Sequence, residues 1–115
     1  MKLLATLSAT LLLVACSTGS ATPTSSPVPV PPEASQAVDA ALQDAAGHLS
    51  VSRDQLQVSQ VASQQWNDAS LGCPQPGQLY SQIVTPGFLV MITNGSHQLE
   101  YHTDTRGRVT LCHET

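Results

Sequence analysis

The chain has 115 residues, a formal net charge of −4 and only 10% charged residues. Four basic side chains against eight acidic ones provide no basic patch that could neutralise phosphates, so we expect no nucleic-acid partner. The length allows one small domain once any targeting segment is removed.

The chain opens with an apolar stretch, residues 3–15, that follows Lys2. A helix of this length reaches only about 20 Å, which is short of the roughly 30 Å hydrocarbon core of a membrane. Apolar regions of signal peptides have this length. The sequence therefore predicts a signal peptide over residues 1–15 rather than a membrane span.

Residues 13–16 read LVAC and resemble the lipobox of bacterial lipoproteins. The resemblance implies cleavage before Cys16 and attachment of a diacylglycerol, with palmitate among its acyl chains, because a thiol is needed to form the thioether. Two acyl chains give stable anchoring. We therefore expect a protein of the bacterial cell envelope that is lipid-anchored to a membrane through Cys16 and faces outside the cytoplasm. The alternative is an ordinary secretory signal that is cleaved further along the chain.

A proline-rich segment follows the lipobox. Residues 17–32 contain five prolines together with serines and threonines, and almost no large apolar side chain. Such a composition cannot form a core and favours extended conformations at about 3.1 Å per residue. We interpret residues 16–32 as a lipidated cysteine and tether, and residues 33–115 as the folded domain.

The beginning of the domain has helical periodicity. Apolar residues recur at steps of three and four, at Ala34, Ala37, Val38, Ala41, Leu42 and Ala45. The spacing predicts a helix over residues 33–46, and its small apolar side chains allow it to lie close to a sheet. Gly47 is placed to end this helix.

The rest of the domain has the pattern of β-strands. Residues 54–66 alternate at first and change phase at Val61, which indicates a strand with a bulge. Residues 79–84 and 88–93 are rich in apolar and β-branched side chains. They predict two strands joined by a turn at residues 85–87.

Two tight turns predict the pairing of the last strands. The Asn-Gly pair at residues 94–95 predicts a two-residue hairpin turn, which places Ile92 opposite His97 on the neighbouring strand. The glycine of the segment DTRGRV suits a three-residue turn, which opposes Tyr101 to Leu111. Both turns place the same apolar residues on one face: Phe88, Val90, Ile92, Leu99, Tyr101, Val109 and Leu111.

These elements indicate an α+β domain with one N-terminal helix packed on a four- or five-stranded antiparallel sheet. In element order and size the domain resembles PepSY-like and cystatin-like domains. Residues 60–112 are also similar to a family of uncharacterised bacterial exported proteins. The similarity rests on a tryptophan followed by the segments SLGCP, LEYHTD and a final LC. That resemblance implies no known activity.

Cys73 and Cys112 are the two cysteines that remain in the domain once Cys16 is assigned to the lipid. Paired cysteines of exported proteins normally form disulfides. A bond that closes about 40 residues would add roughly 4 kcal/mol to the stability of so small a domain. We therefore predict a Cys73–Cys112 disulfide. A nucleophilic Cys73, the alternative, would need an unpaired thiol and a nearby base.

The histidines of the last strands raise the question of a metal site. Strand alternation places His102 and Glu100 on the same face as Cys112, whereas His97 and His113 are predicted to face the other way. Three ligands therefore do not converge on one side, and we expect no metal and no cofactor. An envelope metal-binding protein that uses His102 and Glu100 is the alternative function.

The segment between the first strand and residue 80 is the candidate binding loop. Trp66, Leu71 and Tyr80 flank a stretch that Pro74 and Pro76 stiffen. A loop that is ordered before binding loses little entropy when a partner binds, and its aromatic residues can supply affinity. The alternative is that Trp66 covers the core and the loop only connects strands.

No catalytic motif is evident in the sequence. Ser70 and Asp68 could be placed in a hydrolase triad, but serine and aspartate are ordinary turn formers and no GxSxG elbow is present. We therefore predict a non-enzymatic, monomeric lipoprotein that binds a protein or envelope component through the 66–80 loop.

Overall fold

The computed structural model describes Ala15, Gly19 and residues 27–115. The predicted signal peptide, Cys16 and most of the tether lie outside the described residues, so those assignments stay predictions. Within the described part of the chain, no helix is both long and apolar enough to cross a membrane.

The predicted helix is present, but it begins two residues later and ends three residues later than expected. A 3₁₀ turn, Pro32–Ala34, leads into α1, Ser35–Leu49. The helix continues through Gly47 and ends at Ser50, whose φ of 53° is left-handed. Leu49 packs against the core in the additional turn, and this contact outweighs the roughly 1 kcal/mol that a glycine costs inside a helix.

Four antiparallel strands form a single sheet in the order β1-β2-β3-β4. Their bounds are β1 Gln57–Trp66, β2 Thr85–Thr93, β3 Gln98–Asp104 and β4 Val109–Glu114. Helix α1 packs on one face of this sheet, mainly against β2, β3 and β4. The predicted α+β class is therefore confirmed, with four strands.

The prediction of a strand over residues 79–84 is wrong. Strand β1 ends at Trp66, which pairs with Thr85 at the start of β2. The residues before Thr85 therefore extend beyond the end of β1 and have no neighbouring strand to bond. They belong to the long connection between β1 and β2, and the predicted turn at residues 85–87 is part of β2.

The core lies between α1 and the sheet and is built from small helix residues against larger strand residues. The helix contributes Ala37, Val38, Ala41 and Ala45, and the strands contribute Phe88, Val90, Ile92, Leu99 and Tyr101. The alanines let the helix approach the sheet closely enough for Tyr101 to be fully buried. The Tyr101 hydroxyl donates to Asp44 Oδ2 at 2.8 Å.

The first hairpin is shifted by two residues from its predicted pairing. Ile92 pairs with Leu99 rather than with His97. Asn94 Oδ1 accepts the backbone N–H groups of Ser96 and His97, at 3.1 and 2.8 Å, and so closes a four-residue loop in place of a two-residue turn. A shift of two keeps every side chain on its face, so the predicted buried face is correct.

The second hairpin has the predicted pairing of Tyr101 with Leu111. A β-bulge at Cys112 follows, so Glu100 pairs with His113. His113 therefore lies on the Glu100 side of the sheet, and its predicted placement with Leu111 is wrong because the bulge reverses the alternation. The predicted bulge of β1 is confirmed, but at Ser59 rather than Val61.

Tyr101 makes the domain lose stability at alkaline pH. Burial and the hydrogen bond to Asp44 raise the pKa of Tyr101 above its ordinary value near 10. Its stabilising contribution is full below about pH 10 and is lost as the pH rises further, because the unfolded chain then gives up the phenolic proton more readily. Tyr101→Phe should lower the free energy of unfolding by about 1 kcal/mol near neutral pH. Above about pH 10 this variant should lose much less stability than the wild type.

Urea unfolding followed by the fluorescence of Trp66, the only tryptophan, measures both effects. The exposed-loop variant Tyr80→Phe is the matched control and should keep the wild-type alkaline loss. Equal losses of stability above pH 10 in the wild type and in Tyr101→Phe would contradict the assignment.

Candidate functional site

His102 is the centre of a polar cluster on the sheet face opposite α1, where only 7% of the residue is exposed. Its Nδ1 atom lies 2.6 Å from the Leu71 carbonyl oxygen, and its Nε2 atom lies 2.6 Å from Glu100 Oε1. Both partners are hydrogen-bond acceptors. Each ring nitrogen donates to its partner in the tautomer that places the proton on it.

Trp66, the last residue of β1, covers the His102 ring. The two rings are stacked with centroids 4.2 Å apart and an interplanar angle of 17°. The indole Nε1 donates to the Thr103 carbonyl oxygen at 2.8 Å. Gly87 makes this bond possible, since a Cβ at that position would lie 2.7 Å from the Thr103 carbonyl carbon. Trp66 thus holds the imidazole in one plane.

The predicted disulfide between Cys73 and Cys112 is present, with a Cα–Cα distance of 5.7 Å that is ordinary for a disulfide. It joins the β1–β2 connection to the edge strand β4 across β3. Cys73 Sγ also lies 3.3 Å from His102 Nδ1. The two sulfurs and a ring nitrogen of His102 all lie within 4.8 Å of one another.

The backbone of the loop brings these groups together through two consecutive left-handed residues, Leu71 with φ of 57° and Gly72 with φ of 74°. Leu71 is only 1% exposed, so burial of its side chain offsets the cost of this conformation. A Cβ at Gly72 would lie 3.2 Å from the Trp66 ring, so the glycine also fits closely under the indole.

Asp68 and Ser70 form the first turn of the loop. The Asp68 carboxylate accepts hydrogen bonds from the Ser70 hydroxyl and, at 2.9 Å, from the Ser70 backbone N–H. Both bonds hold the pKa of Asp68 below its ordinary value. The pair therefore acts as a turn former, the ordinary role that the sequence suggested.

The remaining predicted loop residues differ in exposure. Pro74 and Pro76 are exposed, and Tyr80 is half-buried. The Tyr80 hydroxyl accepts the Gln75 backbone N–H at 2.9 Å and donates to Gln78 Oε1 at 3.2 Å. Trp66 and Leu71, by contrast, are buried and hold the loop to the sheet instead of facing solvent.

Sequence reasoning missed the most exposed apolar side chains of the loop. These are Leu79, Ile83 and Val84, which are 101%, 64% and 64% exposed. Their apolar and β-branched pattern predicts a strand, and the signal against it is the absence of any strand to pair with beyond Trp66. We call them the apolar triplet.

A cleft of about 430 Å³ adjoins the apolar triplet and is lined by Ile83, Val84, Arg106 and Arg108, among other residues. Arg108 pairs with Asp104, with Nε 3.1 Å from Oδ2. Within the described part of the chain, Arg106 makes no ion pair, and its side chain is exposed. The cleft therefore combines an apolar wall with positive charge in a protein that is acidic as a whole.

His48 and His97 lie apart from His102. His48 Nε2 and His97 Nδ1 both contact the Glu114 carboxylate, at 2.8 and 3.4 Å, at the other end of the sheet. His102 and Glu100, the predicted alternative metal ligands, contact each other directly.

A family defined by a domain of unknown function, DUF8738, matches residues 38–112. The chain belongs to this family. The matched part runs from the first turn of α1 to Cys112, so the DUF8738 domain contains both disulfide cysteines, Trp66 and His102. No curated protein and no solved structure matches the chain.

The disulfide should contribute to the stability of the DUF8738 domain as a single constraint. The free energy of unfolding should fall by about 2 to 5 kcal/mol in Cys73→Ser, Cys112→Ser and the double variant. The three losses should be similar, because losing either cysteine removes the same crosslink. Urea unfolding of the full chain measures the losses. Every protein, the reference included, carries Cys16→Ser so that no third thiol is present.

Two independent thiols would give losses that add in the double variant, as distant sites do. A count of reactive thiols in the denatured, unreduced reference protein is the accompanying control. Two reactive thiols, or additive losses, would contradict the disulfide.

Proposed function

We propose that this DUF8738 protein is a lipoprotein of the bacterial cell envelope that binds a protein partner through the β1–β2 loop. The observation that carries the proposal is the apolar triplet, Leu79, Ile83 and Val84, on a loop whose two halves are both tied to the sheet. Ile83 and Val84 are adjacent and line one cleft, and exposed apolar groups of this kind commonly mark protein–protein contacts.

The ties to the sheet support a loop that is ordered before binding. The first half is held by the disulfide and by the buried Leu71. The second half is held through Ala69, whose N–H donates to the Ser81 carbonyl at 2.9 Å and whose carbonyl accepts Arg108 Nη2 at 2.7 Å. A loop restrained in this way loses little conformational entropy on association.

The surroundings of the triplet indicate the chemistry of the partner. Two of the three arginines of the chain, Arg106 and Arg108, line the adjoining cleft. Arg108 is already paired with Asp104, which leaves Arg106 to attract an incoming carboxylate. The partner should therefore present an apolar side chain beside an acidic one.

The role proposed is binding rather than catalysis. The groups that could act as nucleophiles in the loop are already engaged: Ser70 with Asp68, and Cys73 with Cys112. The PepSY-like and cystatin-like element order and the monomeric state remain part of this proposal.

Photo-crosslinking in intact cells tests the binding surface. A photoreactive amino acid at Ile83 should give a crosslinked protein adduct, because this side chain is 64% exposed on the proposed surface. The adduct should fall by about tenfold or more when Leu79→Ser and Arg106→Glu are added, as is typical for the loss of central contacts.

The matched control is the same photoreactive residue at Val30, another exposed apolar position but one outside the loop. It should not give the adduct. An equal adduct from both positions, or an Ile83 adduct that is unchanged by Leu79→Ser and Arg106→Glu, would contradict the proposed surface.

Metabolic labelling tests the lipid anchor separately. Cells fed an alkyne-bearing fatty acid should incorporate it into the wild-type chain and not into Cys16→Ser, because that sulfur is the proposed attachment atom. Ser17→Ala, a change at the neighbouring residue, should leave labelling unchanged. Equal labelling of wild type and Cys16→Ser would reject the lipobox assignment in favour of an ordinary secretory signal.

A further inference from the structure

We propose that, once the Cys73–Cys112 disulfide is reduced, the two thiolates and Nδ1 of His102 bind a zinc ion. Two cysteines and a histidine form a common ligand set for Zn²⁺, with a fourth position left to water. The site goes beyond the proposed binding function and does not depend on it. It also differs from a site formed by His102 and Glu100, because it uses the opposite nitrogen of the imidazole.

The geometry of the three donor atoms carries the inference. Cys73 Sγ lies 3.3 Å from His102 Nδ1, and the three donors lie within 4.8 Å of one another. A tetrahedral zinc ion, with Zn–S near 2.3 Å and Zn–N near 2.1 Å, sets sulfur–nitrogen distances of about 3.6 Å and sulfur–sulfur distances of about 3.8 Å. Side-chain rotation after the S–S bond breaks suffices to reach these values.

The surroundings of His102 already hold the ring as zinc sites require. Ligating histidines usually donate their second ring N–H to a carboxylate, which fixes the ring and raises its basicity. Here His102 Nε2 lies 2.6 Å from Glu100 Oε1, and Trp66 stacks on the ring at 4.2 Å. Zinc at Nδ1 would replace only the hydrogen bond to the Leu71 carbonyl.

The reaction balances with a dithiol as the reductant. The dithiol gives two electrons and two protons to the disulfide, so the Cys73–Cys112 bond breaks, two thiols form and the dithiol becomes a disulfide. Zinc binding then releases one proton from each thiol, and Nδ1 binds the ion through its lone pair while Nε2 donates its proton to Glu100. The ion thus replaces one crosslink between the loop and β4 with another.

Zinc titration of the full chain tests the site, with Cys16→Ser in every protein to remove the third cysteine. After reduction by a phosphine, one Zn²⁺ per chain should bind, and the oxidised protein should bind none at the same concentration. Glu100→Gln should weaken the affinity by about 10- to 100-fold, because it alters the partner that orients the ring. His97→Asn, at the other end of the sheet, is the matched control and should leave the affinity unchanged.

Cobalt provides a readout that does not depend on the folding of any variant. Co²⁺ added to the reduced chain should give the ultraviolet charge-transfer band of thiolate ligation, and zinc should displace it. The site would be rejected by a reduced chain that binds no Zn²⁺ at micromolar concentration. Cobalt binding without the thiolate band, or equal zinc affinities for the reference and Glu100→Gln, would also reject it.

Discussion

The Cys73–Cys112 crosslink is the constraint on which the rest of the structure depends, because the core around α1 is built largely from alanines. Ala37, Ala41 and Ala45 bury little apolar area each, so hydrophobic burial by the helix is modest. The long β1–β2 connection adds an entropic cost and supplies no strand. The disulfide ties this connection to β4, an edge strand that is otherwise held by β3 and α1.

The two faces of the sheet therefore have different physical roles. The α1 face is largely apolar, and its polar groups are bonded within the protein. The Tyr101 hydroxyl reaches Asp44 at the helix surface, and the buried Thr103 hydroxyl donates to the Phe88 carbonyl at 3.2 Å. The opposite face carries His102, and the loop covers it through Trp66 and Leu71 in place of a second helix. The side chains of Cys73, Cys112 and His102, whose donor atoms could bind a metal, lie together on this covered face.

Much of the fold could be predicted from periodicity, because the apolar residues buried on one face of a helix or strand recur at a fixed spacing in the sequence. The helix stripe and the Tyr101–Leu111 pairing are confirmed. The first hairpin was predicted two residues out of register because Asn94 closes a longer loop with its side chain. The hydrogen bond between Leu71 and His102 could not be predicted, since it depends on a left-handed leucine that the sequence does not mark.

Two separate attachments of the loop keep its exposed part distinct from its buried part. Cys73 and Leu71 attach the first half to β4 and to His102. The second half is attached through Ser81, whose carbonyl accepts the Ala69 N–H. Arg108 donates to the Ala69 carbonyl and pairs with Asp104. The position of the apolar triplet therefore depends on the Arg108 contacts as well as on the crosslink at Cys73. A change of ligands at the sulfurs would act first on the covered face of the sheet, where Cys73 lies against His102.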